Sequence, residues 1–242
     1  MKKYEFLNAN ALKMIALVSM VIDHIGATLF PSALWLRCLG RISLPIFAYM
    51  IAEGCRHSRN IGKYFLRIFV LGVLCQIVFF FVYETLYLST LISFSLSILA
   101  ISLLQRLYRE KNKKNLLLYS LLCILFLFFM LFLLYPPHFM DPYGLVLDYG
   151  AYPFLIPIVL YFIPTKEWRI LSMIPILFFL SLEFAWEQRF AFLALPILTL
   201  YNGQRGKVNL KYFFYIAYPL HLILIFCVYM LFFSKNAGLP QV

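Results

Sequence analysis

The sequence predicts an all-α, polytopic integral membrane protein of about nine transmembrane helices. Composition is the first observation: of 242 residues, 64% are hydrophobic and 13% are charged, with a mean hydropathy of +0.87. A soluble domain is about half apolar and about a quarter charged, so this chain has too little polar surface to face water on all sides. The second observation is the length of the apolar runs. "NLLLYSLLCILFLFFMLFLLY" (115–135) is long enough for a helix crossing a bilayer, which needs about 20 residues. The third is the lack of alternation. Barrel strands alternate apolar and polar residues over about ten positions; these runs do not, and a lipid-exposed chain has no other way to satisfy its backbone than helices.

The spans are expected near 10–30, 33–54, 64–83, 88–105, 115–135, 144–163, 169–185, 188–200 and 212–233. The first has a basic start and no small-x-small cleavage site, and it reads as a retained span rather than a signal peptide. In the second, Gly40 and Pro45 allow close packing and a break at its entrance, and "EGCRHSRN" ends it. The fourth runs into "RLYREKNKKN", a cytoplasmic loop. "DPYGLVLDYGAYP" runs into the sixth and is broken by Pro and Gly, either as an unwound segment lining a cavity or as a loop end. Pro175 and Pro196 kink the seventh and eighth, which read as two short spans or a re-entrant pair. Asn202-Gly203 is a turn, and the ninth span carries Pro219 and His221. No soluble domain, linker or repeat stands out, so 1–242 reads as one domain.

Orientation follows from charge. Net charge is +11, from 21 basic and 10 acidic residues. With the N-terminus in the cytoplasm, 17 basic residues fall inside, Lys2, Lys3 and Lys13 among them. Only Arg37, Arg41, Arg189 and Lys235 fall outside, making 17 + 4 = 21. Cytoplasmic loops are rich in Lys and Arg, so topology accounts for the charge without a nucleic-acid partner. The five cysteines are scattered, with no metal-type spacing, and read as packing residues.

Ionisable groups at membrane depth are costly and mark either function or a buried pair. Once loops are set aside, Asp23, His24, Arg37, Arg41, Glu53, Asp148, Glu183, Glu187, Arg189 and His221 remain. His24 reads either as a hydrogen-bonded packing residue or as a base, since imidazole titrates near neutrality. Asp23 points about a quarter-turn away from it on a helix and is better placed to pair with Arg37 or Arg41. Glu53 is expected to pair with Arg56 or Arg67; His57 and His138 read as loop residues. Arg205, Lys207 and Lys211 beside glycines suit phosphate groups, although the positive-inside rule explains them equally.

Those same residues carry a family resemblance. Asp23-His24, Gly40-Arg41, Pro45, Phe47, Glu53-Gly54, Tyr64, Arg67, the Tyr201-Asn202-Gly203 turn and Tyr218-Pro219-Leu220-His221 together resemble the TraX family over nearly the whole chain. The resemblance implies a multi-pass protein of the bacterial inner membrane that acetylates an exported acceptor, such as a pilin N-terminal amine. It is similar also to wider transmembrane acyltransferases, in which an essential membrane histidine corresponds to His24. On this implication His24, with Asp23, Arg41 and His221, forms the catalytic site. Arg59, Lys63, Arg67, Asn202, Arg205, Lys207 and Lys211 face the phosphates of cytosolic acetyl-CoA, and Glu53, Asp148 and Tyr218 contact substrate. The implied partners are acetyl-CoA, an exported protein or glycan acceptor and the lipid bilayer; no metal or nucleic acid is expected. Two other classes compete. One is a proton-coupled transporter or flippase using Asp23, His24 and Asp148. The other is a non-enzymatic scaffold for surface assembly.

Overall fold

The computed structural model describes residues 4–83, 86–135 and 145–232, with the side chains of 82, 83 and 211 excepted. Lys2, Lys3, His138, Asp141 and Lys235 lie outside them. The helices are α1 (Ala9–Thr28), α2 (Leu34–Gly40), α3 (Ser43–His57), α4 (Ile61–Tyr83), α5 (Thr90–Arg109), α6 (Lys113–Leu134), α7 (Tyr152–Phe162), α8 (Lys166–Glu183), α9 (Ala194–Thr199) and α10 (Lys211–Phe232), with a 3-10 helix at Trp186–Leu193 before α9. Two short strands, β1 (Tyr87–Leu88) and β2 (Val146–Leu147), pair in parallel.

Six stretches among the described residues are long and apolar enough to cross a membrane: Ala9–Thr28, Leu34–His57, Ile61–Phe81, Thr90–Arg109, Lys113–Leu134 and Tyr212–Phe232. The expected span 144–163 is instead β2, a turn and the 11-residue α7. The expected 169–185 is α8, whose first turn carries Lys166, Glu167 and Arg169. The expected 188–200 divides into 3-10 helix and α9 and holds no span-length helix.

Local chemistry explains the boundaries. Asn8 caps α1, its Oδ1 accepting from the Ala11 amide at 3.0 Å, and Asn112 caps α6 in the same way from the Lys114 amide. The second crossing breaks between α2 and α3 at Arg41-Ile42. A break at membrane depth strands carbonyls. Serine hydroxyls take them: Ser19 donates to the Leu39 carbonyl, and Ser43 to that of Gly40 at 2.8 Å. Gly40 has to be glycine, because the Asp23 side chain fills the space a Cβ would need.

Helix α3 is buried on nearly every face and forms the centre of the bundle. Fully buried Ser93, Ser95 and Ser97 keep α5 slim, and the Ser97 hydroxyl donates to the Phe154 carbonyl of α7 at 2.9 Å. By contrast α6 buries only Met130 and Leu133 and presents the rest of an apolar surface outward, as a lipid-facing helix does.

Connections gather at two ends. At one end, Leu7 pairs with Tyr201, Lys166 binds Glu5 at 3.0 Å and the Thr199 carbonyl at 2.7 Å, and Arg56 takes the Leu160 carbonyl at 3.0 Å and those of Tyr161 and Ile163. At the other end, α2 packs on the 3-10 helix, β1 pairs with β2, and the turn after β2 meets Arg41 through Tyr149 and Thr90 through Asp148.

Candidate functional site

Two cavities lie in line between these ends. The larger, of about 470 Å³, opens beside the N-terminus of α1 and is lined by Lys13, Glu53, Tyr64, Arg67, Tyr201 and Arg205 among others. The smaller, of about 100 Å³, holds Asp23, His24, Arg41, Asp148, Tyr149 and His221. Phe47, Leu91, Phe94 and Tyr218 line both. Apolar and aromatic side chains therefore form the partition, and the ionisable groups sit on either side of it.

Helices α1 and α10 bring His24 and His221 together, with ring centroids 5.1 Å apart and planes at 62°. His24 also meets the Phe79 ring edge-on at 6.0 Å. The Nδ1 of His221 lies 3.0 Å from the Ala217 carbonyl, and its Nε2 is buried with no partner among the described residues. Tyr218, one turn earlier on α10, stands in the partition against Phe47.

Asp23, the neighbour of His24, turns to α2 and the break. Its Oδ2 accepts from Arg37 at 2.8 Å and its Oδ1 is 3.1 Å from the Arg41 guanidinium. Arg41 is 5% exposed, donates to the Tyr149 hydroxyl and lies over that ring at 5.6 Å, while its Nε is buried and unpartnered among the described residues. Tyr149 adopts φ 56°, a left-handed conformation unusual for a side chain of this size, followed by Gly150 at the same angle. This turn delivers the hydroxyl to Arg41. Asp148, outside the helical spans, accepts from Tyr87 at 3.0 Å and from Thr90. Burial lifts its carboxyl to about 6, outweighing the two hydroxyl donors and Arg41, which act in the opposite direction.

Glu53 does not pair with Arg56 or Arg67. Its partner is Arg169 of α8, with the Tyr201 hydroxyl at 3.4 Å, and Arg169 lies over the Tyr49 ring at 5.5 Å. Arg56 is instead committed to the carbonyl end of α7, and Arg67 donates to the Lys63 carbonyl and covers the Tyr64 ring. The reason is commitment elsewhere: Arg56 is taken up by the α7 carbonyls and Arg67 folds back onto α4, whereas Arg169 of α8, distant in sequence, reaches the Glu53 carboxylate.

Among the residues expected to face phosphates, Arg67 and Arg205 line the larger cavity. Arg59 and Lys63 are exposed at the α3–α4 connection and do not line it. Asn202 closes a turn by accepting from the Gln204 amide at 2.9 Å. Lys207 lines an adjoining open groove with Asn8, Asn10 and Arg205. Only the backbone of Lys211 is described. The structure adds Lys13, counted in the sequence only toward topology, as a cation inside the larger cavity, and Tyr149, Tyr87 and Thr90 around the smaller one. A lysine one turn into an apolar helix was the available signal for Lys13; no local pattern marked the other three.

Comparison with known proteins bears on this site. The model of the family described as TraX protein matches residues 8–229, a stretch containing every residue of both cavities named above. A 73-residue segment is 37% identical to a probable fimbrial assembly protein, FimC of serogroup H1, from Dichelobacter nodosus, covering 28% of this chain and 30% of that protein. A 66-residue segment is 35% identical to an uncharacterized protein from Rickettsia prowazekii (strain Madrid E), covering 27% of this chain and 25% of that one. Each match thus spans less than a third of the relative's length. No solved structure matches the chain. With nearly its whole length matched, the chain belongs to the TraX family.

Proposed function

We propose that this protein is a multi-pass acyltransferase of the cell membrane. In this reading it moves an acetyl group from cytosolic acetyl-CoA to an amine or hydroxyl on an exported acceptor, a pilin N-terminus being the leading case. The observation that carries the reading is the arrangement of the cavities. A large one with Lys13, Arg67 and Arg205 in its wall adjoins, across Phe47 and Tyr218, a small one holding two imidazoles. Cations suit the phosphates of an acyl-CoA, and an apolar partition suits a thioester arm. The relative named for fimbrial assembly supports an acceptor on the export route. The proposed topology has nine crossings with the N-terminus in the cytoplasm, α7, α8 and the 3-10/α9 pair adding three to the six long stretches. It agrees with the gathering of connections at two ends.

The chain's own groups divide the chemistry. His24 takes the proton of the attacking amine or hydroxyl, since a neutral imidazole is a base near physiological pH. The buried Nε of Arg41 is a donor for the oxygen that becomes negative as the acceptor adds to the carbonyl. Asp23 and Tyr149 hold Arg41 in place. The test is incubation of purified protein with labelled acetyl-CoA and a peptide bearing a free N-terminal amine. Label transfer is expected from wild type. His24→Gln retains hydrogen-bonding capacity but not basicity, and should lower the rate about a hundred- to ten-thousand-fold in a protein that still folds. An active His24→Gln enzyme would refute His24 as the base, and proton-coupled uptake without turnover would refute acyl transfer.

A further inference from the structure

Two imidazoles line the smaller cavity, and their nitrogens are held differently. The Ala217 carbonyl beside His221 Nδ1 can only accept, so Nδ1 carries the hydrogen and the neutral ring keeps its lone pair on Nε2. That nitrogen is buried without a partner among the described residues. Buried polar atoms are nearly always satisfied, and an exception calls for an explanation. Among the described residues His24 has no comparable anchor, and its ring meets those of Phe79 and His221.

The two rings also sit differently with respect to the partition. Tyr218 lies in the wall common to both cavities, and His221 follows it one turn later on the same helix. His24 stands on α1 beside Asp23 and continues into a narrow crevice with Thr28 and Phe79, away from the larger cavity. His221 is thus the imidazole next to the partition, and His24 the one beyond it.

Resting on the acyltransferase reading above, we propose that His24 and His221 are the two ends of a proton relay. His24 receives the proton of the attacking acceptor, and His221 Nε2 delivers one to the departing thiolate. The acceptor's nitrogen or oxygen forms a bond to the acyl carbon as the carbon–sulfur bond breaks. The proton passes from acceptor to His24, from His24 to His221 Nε2, and from there to sulfur. Both imidazoles end neutral, and no further reactant is consumed. With the donor entering from the larger cavity and the acceptor from the other side of the partition, sulfur lies nearer His221 and the attacking atom nearer His24. A thiolate expelled beside the apolar and aromatic side chains of the partition is a poorly solvated charge, and a fixed Nδ1–H tautomer keeps the receiving nitrogen pointed inward between turnovers.

The experiment compares two donors on the full chain in lipid nanodiscs: acetyl-CoA and the acetyl thioester of 4-nitrothiophenol, whose thiolate leaves without protonation. His221→Asn retains an N–H for the Ala217 carbonyl but removes Nε2. Its turnover with acetyl-CoA should fall about a hundredfold or more and recover to within about tenfold of wild type on the acidic-thiol donor. His24→Asn should lose turnover with both. Equal losses of His221→Asn on the two donors, or no loss, overturn the relay while leaving acyl transfer intact. Wild type inactive with both donors overturns acyl transfer itself, and the relay with it. If His221→Asn does not fold, nitrogen-15 spectra of histidine-labelled wild type decide: His221 is expected as the Nδ1–H tautomer, and the Nε2–H tautomer overturns the proposal.

Discussion

Phe47 of α3 and Tyr218 of α10 pack their rings with centroids 5.3 Å apart, in a wall that both cavities share. Among the described residues the shared wall is Phe47, Leu91, Phe94 and Tyr218, none of them charged, and rings of this kind shift by rotamer changes. Cys75 lies on the far side, lining the smaller cavity at 2% exposure. In a protein with the other four cysteines replaced by serine, Phe47→Ala should speed modification of Cys75 by a small thiosulfonate applied from the cytoplasmic side. An unchanged modification rate would mean that the passage does not run through this wall.

Asp23 holds two arginines, and one of them is buried. Breaking a buried pair from one side costs about 3–5 kcal/mol, because the remaining charge is left uncompensated. Asp23→Asn should therefore lower the thermal midpoint in detergent, with Asp23→Asn/Arg41→Gln recovering part of the loss. Gly40→Ala should act in the same direction, since its Cβ enters the space of the Asp23 side chain. A fully stable Asp23→Asn protein would contradict the pairing.

Lys13 and Arg205 both face the larger cavity. A charge-assisted contact contributes about 1.5–3 kcal/mol, a factor of about ten to a hundred in affinity. Lys13→Gln and Arg205→Gln should each weaken acetyl-CoA binding in calorimetric titration, and the deficit should shrink at high salt, where the wild-type contacts are screened. Lys207→Gln, in the adjoining groove, should have a smaller effect, and Arg59→Gln and Lys63→Gln none. Equal effects at all five positions would indicate general surface charge instead of a site.

Asp148 gives a pH dependence. Its folded carboxyl lies at about 6, above the ordinary 3.8, so between these values the folded state binds a proton that the unfolded state has released. Stability then falls as pH rises through that window. The neutral amide of Asp148→Asn can accept from one of the Tyr87 and Thr90 hydroxyls through its oxygen and donate to the other through its nitrogen, so the variant should show a flatter midpoint between pH 4.5 and 7 and a higher one at pH 7. A wild-type midpoint that rises across this window would reverse the sign and exclude the assignment.

What the sequence determined by itself is the solvent. Lipid immersion is decided segment by segment, through about 20 consecutive apolar residues, and so the membrane class and the long helices were legible without a fold. The isolated ionisable residues were legible for the same reason, because a charge in an apolar run stands out locally. Partnership was not. Asp23 finds Arg37 and Arg41, as its position one helix away allowed, but Glu53 passes over Arg56 and Arg67 for Arg169. Hydrophobic periodicity is weak in helices apolar on most faces, so it did not say that Glu53 of α3 would face Arg169 of α8. Nor did it say that α1 and α10, from opposite ends of the chain, would bring His24 and His221 within 5.1 Å. The region 144–200 divided differently from expectation because the Tyr149–Gly150 turn and a charged first turn in α8 interrupt it, while Pro157 and Pro175 sit inside continuous helices. Contacts to Arg41, Thr90 and Glu53, made only once the bundle packs, decided where those interruptions sit.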